Sequence, residues 1–120
     1  VVVSVKTPDL ASGVHFYRDV IGLQLLPDHA HQAAFDLGEG IHLVLVPAQP
    51  SLPPDNGPAR FPSLAFFVQD LDKAISHLEA HSVDIPWGIE ESSQARWVVF
   101  RDPAGNLIEF AQLTPPPHSR

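Results

Sequence analysis

FRDPAGNLIEF, residues 100–110, decides the reading of this chain. Asp102-Pro103-Ala104-Gly105-Asn106 is turn chemistry: proline presets one φ and Gly105 tolerates a positive one. Apolar residues on either side make it a hairpin. The second strand is broken by one acid, Glu109, between Ile108 and Phe110. On an alternating strand Glu109 shares a face with Leu107 and Ala111. Three roles fit a carboxylate there: a solvated strand residue, a metal ligand, or a polar anchor in a pocket.

Upstream, the chain repeats itself. VVVSVKTPDLASGVHFY opens one half and SLAFFVQDLDKAISHL the other. Each is an apolar strand, an Asp-Leu pair and a helical pattern. Asp9 and Asp70 stand where a helix N-cap belongs, accepting otherwise orphaned backbone N–H groups. Leu10, Val14, Tyr17 and Ile21 recur at helical spacing in the first half, and Leu71, Ala74, Ile75 and Leu78 in the second. A short apolar segment follows each helix, GLQLL and SVDIPW, and each half ends in a hairpin, AAFDLGEGIHLVLV and ARWVVFRDPAGNLIEF. Aligning Gly38 with Gly105 puts His42 opposite Glu109. Each half therefore reads β-α-β-β-β, and the repeat itself strengthens that order.

Between the halves lies PAQPSLPPDNGPARFP, with six of the thirteen prolines. Proline lacks an N–H and fixes φ, so this stretch reads as an extended linker. The expected organisation is one domain over residues 1–120: a first module 1–46, the linker 47–62, a second module 63–113 and a frayed tail 114–120. The fold class is α+β, two βαβββ modules packed together.

Bulk composition narrows the function. Hydrophobic residues make up 44% and charged residues 18% of 120, a composition that folds. No apolar run is long enough to span a bilayer, so a membrane is not an expected partner. The N-terminus lacks the pattern of a signal peptide. There are no cysteines, which excludes disulfides, thiolate metal sites and a cysteine nucleophile and suits a cytoplasmic location. The net charge of −7 argues against nucleic acid, which needs a basic patch. It is compatible with a cationic ligand or a divalent ion. No phosphate loop, nucleophile elbow or HExxH zinc helix occurs.

The paired βαβββ pattern, FYRDVIGL at 16–23 and FRDPAGNLIEF together resemble the vicinal oxygen chelate superfamily, which includes glyoxalase I, bleomycin resistance proteins and extradiol dioxygenases. The resemblance covers about residues 1–113. It implies a curved mixed sheet around a cavity that holds a small organic molecule, often in a homodimer. Metal-using members place one ligand on the first and one on the last strand of each module, the first typically a His seven residues before the capping Asp. Those first-strand positions are Val2 and Ser63 here, and the last-strand positions are His42 and Glu109. Valine has no donor atom and a neutral serine hydroxyl is a poor one. Two ligands of four remain, whereas a catalytic metal normally has three from the protein. The expectation is therefore a metal-independent small-molecule-binding protein of the glyoxalase/bleomycin-resistance type, without a cofactor. The alternative is a lyase, isomerase or dioxygenase using a divalent metal through His42 and Glu109.

The expected ligand contacts are His42, Ser63, Phe67, Trp97 and Glu109, with Glu109 the best candidate for a general base if burial raises its pKa. Each has a plainer reading. His42 shares its face with Val44 and Val46 and fits a hydrogen-bonded core histidine. Ser63 fits the end of a linker. Trp97, in a strand, and Trp87, in the PWG loop, fit core packing. His29-Ala-His31 fits a surface hairpin, Glu90-Glu91 a solvated acidic loop, and Arg101-Asp102 a local ion pair shaping the turn. Tyr17-Arg18-Asp19 reads as one packed aromatic followed by two surface charges.

Overall fold

The structure, a computed structural model, describes residues 2–27, 33–50 and 62–114. Most of the proline-rich linker, the His29-Ala-His31 stretch and the tail beyond Thr114 lie outside those residues. The chain divides into two compact units, Val1–Pro58 with Asp102–Asn106, and Ala59–Arg101 with Leu107–Arg120.

The first unit contains β1 (Val2–Lys6), α1 (Leu10–His15), a π-helical turn (Phe16–Val20), β2 (Gln24–Leu25), β3 (Ala33–Gly38) and β4 (Ile41–Val46). The second contains β5 (Leu64–Phe67), α2 (Leu71–Ala80), β6 (Glu90–Glu91), β7 (Ala95–Arg101) and β8 (Leu107–Leu113). Each builds a four-stranded mixed sheet, in the orders β1-β4-β3-β2 and β5-β8-β7-β6. The first and last strands of each unit pair parallel and the remaining pairs are antiparallel. The βαβββ repeat is therefore present in both halves. Both expected caps form: Asp9 accepts from the Ala11 and Ser12 amides, and Asp70 from the Lys73 amide at 3.1 Å.

Alternation gives each sheet one apolar face under its helix. In the first unit Val5, Phe35, Leu43 and Leu45 are buried there. Gly13 lets α1 approach closely, because a Cβ on it would lie 3.0 Å from Leu45 Cδ1 and 3.2 Å from Thr7. In the second unit Val98, Phe100, Ile108 and Phe110 are buried on this side, and the Phe110 ring meets Phe66 and Phe100 edge-on. The Leu71 amide, at the start of α2, donates to Gln112 Oε1 at 2.7 Å, which places the helix on the Ile108–Phe110–Gln112 face.

Three local expectations shift. The first helix buries Gly13, Phe16, Tyr17 and Val20, not the Leu10–Val14–Tyr17–Ile21 stripe. The inward face is set one residue earlier from Gly13 onward, and the helix then widens into a π turn closed by the Ile21 amide donating to the Phe16 carbonyl at 2.9 Å. In the second unit the strand after α2 is Glu90–Glu91 rather than SVDIPW. Pro86 and Gly88, at φ +64°, keep that stretch in turns. The hairpin turns also differ. Glu39 and Gly40 form a two-residue loop with both φ positive, whereas residues 102–106 separate β7 from β8.

The longer turn belongs to the first unit. Asp102, 4% exposed, accepts four hydrogen bonds: from the Tyr17 hydroxyl at 2.6 Å, the Ala104 amide at 3.0 Å, the Asn106 amide at 2.9 Å and Asn106 Nδ2 at 3.0 Å. Asn106 Nδ2 also donates to the Lys6 carbonyl at 3.0 Å, at the end of β1. This network shapes the turn, and the Arg101 guanidinium lies over the Trp87 ring at 5.7 Å. Arg18 and Asp19 do form a surface ion pair, joined by His15.

Tyr17 is fully buried, and burial, the Asp102 charge and the hydrogen bond together push its phenol far above the ordinary value of 10.0. The unfolded phenol ionises near pH 10 while the folded one keeps its proton, so stability is intact below that pH and falls as pH rises above it. Tyr17 is the only tyrosine. Alkaline titration followed by phenolate absorbance should therefore show no ionisation until the chain unfolds. Tyr17→Phe should remove the hydroxyl's bond to a buried charge and lower stability by about 1.5–3 kcal/mol in denaturant unfolding.

Candidate functional site

β8 carries Glu109 on the face away from α2. Strand registers identify its neighbours: Ala65 on β5 and Val99 on β7 lie directly beside it. The next row across the same face is Phe67, Ala111, Trp97 and Glu90. Glu109, Phe67 and Trp97, expected together from the sequence, thus do share one face of one sheet. Phe67 is 77% exposed, and Trp97 is half-buried. Arg101 stands on this face too, with its guanidinium on Trp87.

Glu109 is half-buried and has no hydrogen-bond or ion-pair partner among the described residues. Burial pushes its carboxyl above the ordinary carboxylate range, and the nearby Glu90 charge pushes it in the same direction. Glu90, which the sequence puts in a solvated acidic loop, lies in a two-residue strand. The signal that locates it is its pairing opposite Trp97, which a two-residue strand leaves almost no periodicity to reveal.

His42 lies on the corresponding face of the first sheet, beside Val2 on β1 and opposite Asp36 on β3. Ser63 precedes β5, is exposed, and donates its amide to the Leu107 carbonyl at 2.7 Å. These registers revise the internal alignment. The capping aspartates make Val2 and Ser63 counterparts; Val2 lies beside His42, but Ser63 lies beside Leu107. The counterpart of His42 is therefore Leu107. Glu109 corresponds to Val44, which lies beside Ser4 as Glu109 lies beside Ala65. Aligning Gly38 with Gly105 misses by two residues because the turns differ in length. Two is even, so both side chains keep the expected face.

The donor chemistry does not fit the four-ligand metal set implied by the family pattern. Val2 beside His42 and Ala65 beside Glu109 offer no donor atom, and His42 and Glu109 are not equivalent positions. Among the described residues there is no group of three or more His, Cys, Asp or Glu side chains that could hold an ion. This face carries a half-buried acid, a second acid close by, an arginine whose guanidinium lies on an indole, and aromatic surface.

Residues 2–110 match the glyoxalase/bleomycin resistance protein/dioxygenase superfamily. The chain belongs to that superfamily. An uncharacterised protein of Escherichia coli (strain K12), YaeR, is 29% identical over 118 residues, covering 90% of this chain and 91% of its own length. Among solved structures, TnmS3, an antibiotic binding protein from Streptomyces sp. CB03234, is 27% identical with a TM-score of 0.75, covering 94% of this chain and 93% of its own. The lactoylglutathione lyase from Agrobacterium tumefaciens has a TM-score of 0.71 at 23% identity, covering 92% and 90%, and shares the fold. No helix among the described residues is long and apolar enough to cross a membrane.

The raised Glu109 pKa has a consequence with a definite sign. Between the ordinary carboxylate value and the raised one, the folded chain binds more protons than the unfolded chain, so stability falls as pH rises through that window. Glu109→Gln removes the ionisation. Its melting temperature should exceed that of the parent chain near pH 8 and match it near pH 3.5, where both carry a neutral side chain.

Proposed function

We propose that this protein binds a small organic cation, planar and at least partly aromatic, without a metal, on the Glu109 face of the second sheet. The observation that carries the proposal is Glu109 itself. It is a half-buried carboxyl with no partner among the described residues, and a second acid holds its pKa up. A cation bound beside it would relieve both effects, since opposite charge favours the ionised form. Trp97 and Phe67 on the same face supply π surface for a planar cation. The chain's net charge of −7 favours approach of such a ligand. The likeness to an antibiotic binding protein at 27% identity supports sequestration of an organic molecule. Ser63, just before β5 in the same unit, belongs to the proposal as a further polar contact, whereas His42 stands on the sheet of the other unit and is not part of it.

The proposal extends to a homodimer. β1 and β5 end their sheets, and Val2 and Phe67 on them are 60% and 77% exposed in the single chain. Edge strands of this kind are commonly covered by a partner.

Calorimetry at pH 8 with N-methylacridinium and with neutral acridine tests the ligand class. The cation should bind at least about tenfold more tightly, about 1.4 kcal/mol. Glu109→Gln should abolish the difference, and binding should quench tryptophan fluorescence. Equal affinity for the two probes, or a preference that survives Glu109→Gln, would refute the reading. Zn²⁺ or Mn²⁺ binding that Glu109→Ala abolishes would replace it with the metal-dependent alternative.

A further inference from the structure

A second cluster of chemistry-bearing side chains lies at the far end of α2. His77 and His81 are four residues apart, the spacing that puts two side chains on one helical face. Both are exposed, and their ring centroids are 4.4 Å apart with the planes tilted by 49°. His81 Nδ1 is 2.9 Å from the His77 carbonyl oxygen. With Nδ1–H donating to that carbonyl, the lone pair of the His81 ring sits on Nε2. A ring held through one nitrogen by a carbonyl, with the other presented outward, is the arrangement in which imidazole commonly binds metal. The helix end adds to this. The carbonyls of His77, Leu78 and Glu79 are gathered around the His81 cap, and the negative end of a helix dipole favours a cation.

We propose that His77 and His81 form a two-imidazole site for a borderline divalent transition ion, Cu²⁺ or Ni²⁺, with water completing the coordination. The ligand type sets the metal. Imidazole suits copper, nickel and zinc, and copper leads the affinity order, whereas Mg²⁺ and Ca²⁺ prefer sets of oxygen donors to imidazole. Lys73 lies one turn back on the same face and disfavours cations held by charge alone, so lone-pair donation selects the ion. α2 packs on the sheet face opposite Glu109, so this site is independent of the organic-cation site.

Titration of the chelator-treated full chain with Cu²⁺ and Ni²⁺ in a non-coordinating buffer tests the site. Five proteins are compared: the parent, His77→Ala, His81→Ala, Glu109→Ala, and the His29→Ala/His31→Ala double variant. The parent should bind one Cu²⁺, Ni²⁺ more weakly, and no Mg²⁺. Either helix variant should weaken Cu²⁺ binding by about tenfold or more. Glu109→Ala and the double variant should leave it unchanged. Nitrogen hyperfine structure in the Cu²⁺ electron paramagnetic resonance spectrum should diminish in the helix variants. Absence of Cu²⁺ binding, or retention of full affinity in both helix variants, would overturn the proposal. So would loss of binding in Glu109→Ala or in the double variant.

Discussion

The buried carboxylate of Asp102 is the constraint on which the rest of this structure turns. An ionised group removed from water is tolerated only when its lone pairs are filled. Here they accept from a phenol, two backbone amides and a side-chain amide. Asp102 directly follows β7, and Asn106 directly precedes β8. The bonds between these two residues, including the Asp102 amide to the Asn106 carbonyl at 2.9 Å, therefore set the register of the hairpin. That register places Val99 opposite Glu109 and Trp97 opposite Ala111. A slip by one residue would turn Glu109 onto the helix side and Phe110 outward. The facing of Glu109 is thus set by the register of its hairpin.

Much of this was legible in the sequence because it rests on local rules. Asp9 and Asp70 cap helices because their side chains reach amides two or three residues on. Gly105 takes φ +93° because the turn demands a conformation that only glycine adopts cheaply. The two-residue alternation in IHLVLV and LIEFAQL assigns faces without any knowledge of partners. Features set by partners distant in the chain were not legible. Tyr17 reads as an ordinary packed aromatic, and nothing within its helix points to Asp102, 85 residues away. The inward stripe of the first helix keeps helical spacing but lies one residue before the apolar one the sequence offers, because Gly13 lets the helix close on Leu45 and Thr7.

Register is the subtler case. The repeat was visible, yet the choice of glycine to align was not, because a two-residue turn and a longer one close equivalent hairpins. The face of His42 survived that ambiguity through parity alone; its equivalence to Glu109 did not. This matters for chemistry. A pseudo-symmetric metal site needs donors at equivalent heights on both modules, and here the histidine and the carboxylate occupy different rungs of their ladders.

Glu109 shows the opposite relation between stability and use. Gln112, on the helix side of the same strand, is paired with the Leu71 amide. Glu109 is instead held half-buried with an unfavourable shift and with Glu90 adding to it. A fold selected for stability alone would place a neutral or apolar residue at that point on β8, as Val44 stands at the matching point on β4. A strained polar group amid otherwise consistent packing is where a binding function is expected to reside. Opposite charge beside Glu109 would favour its ionised form, so the direction of its shift supports the proposed cationic ligand.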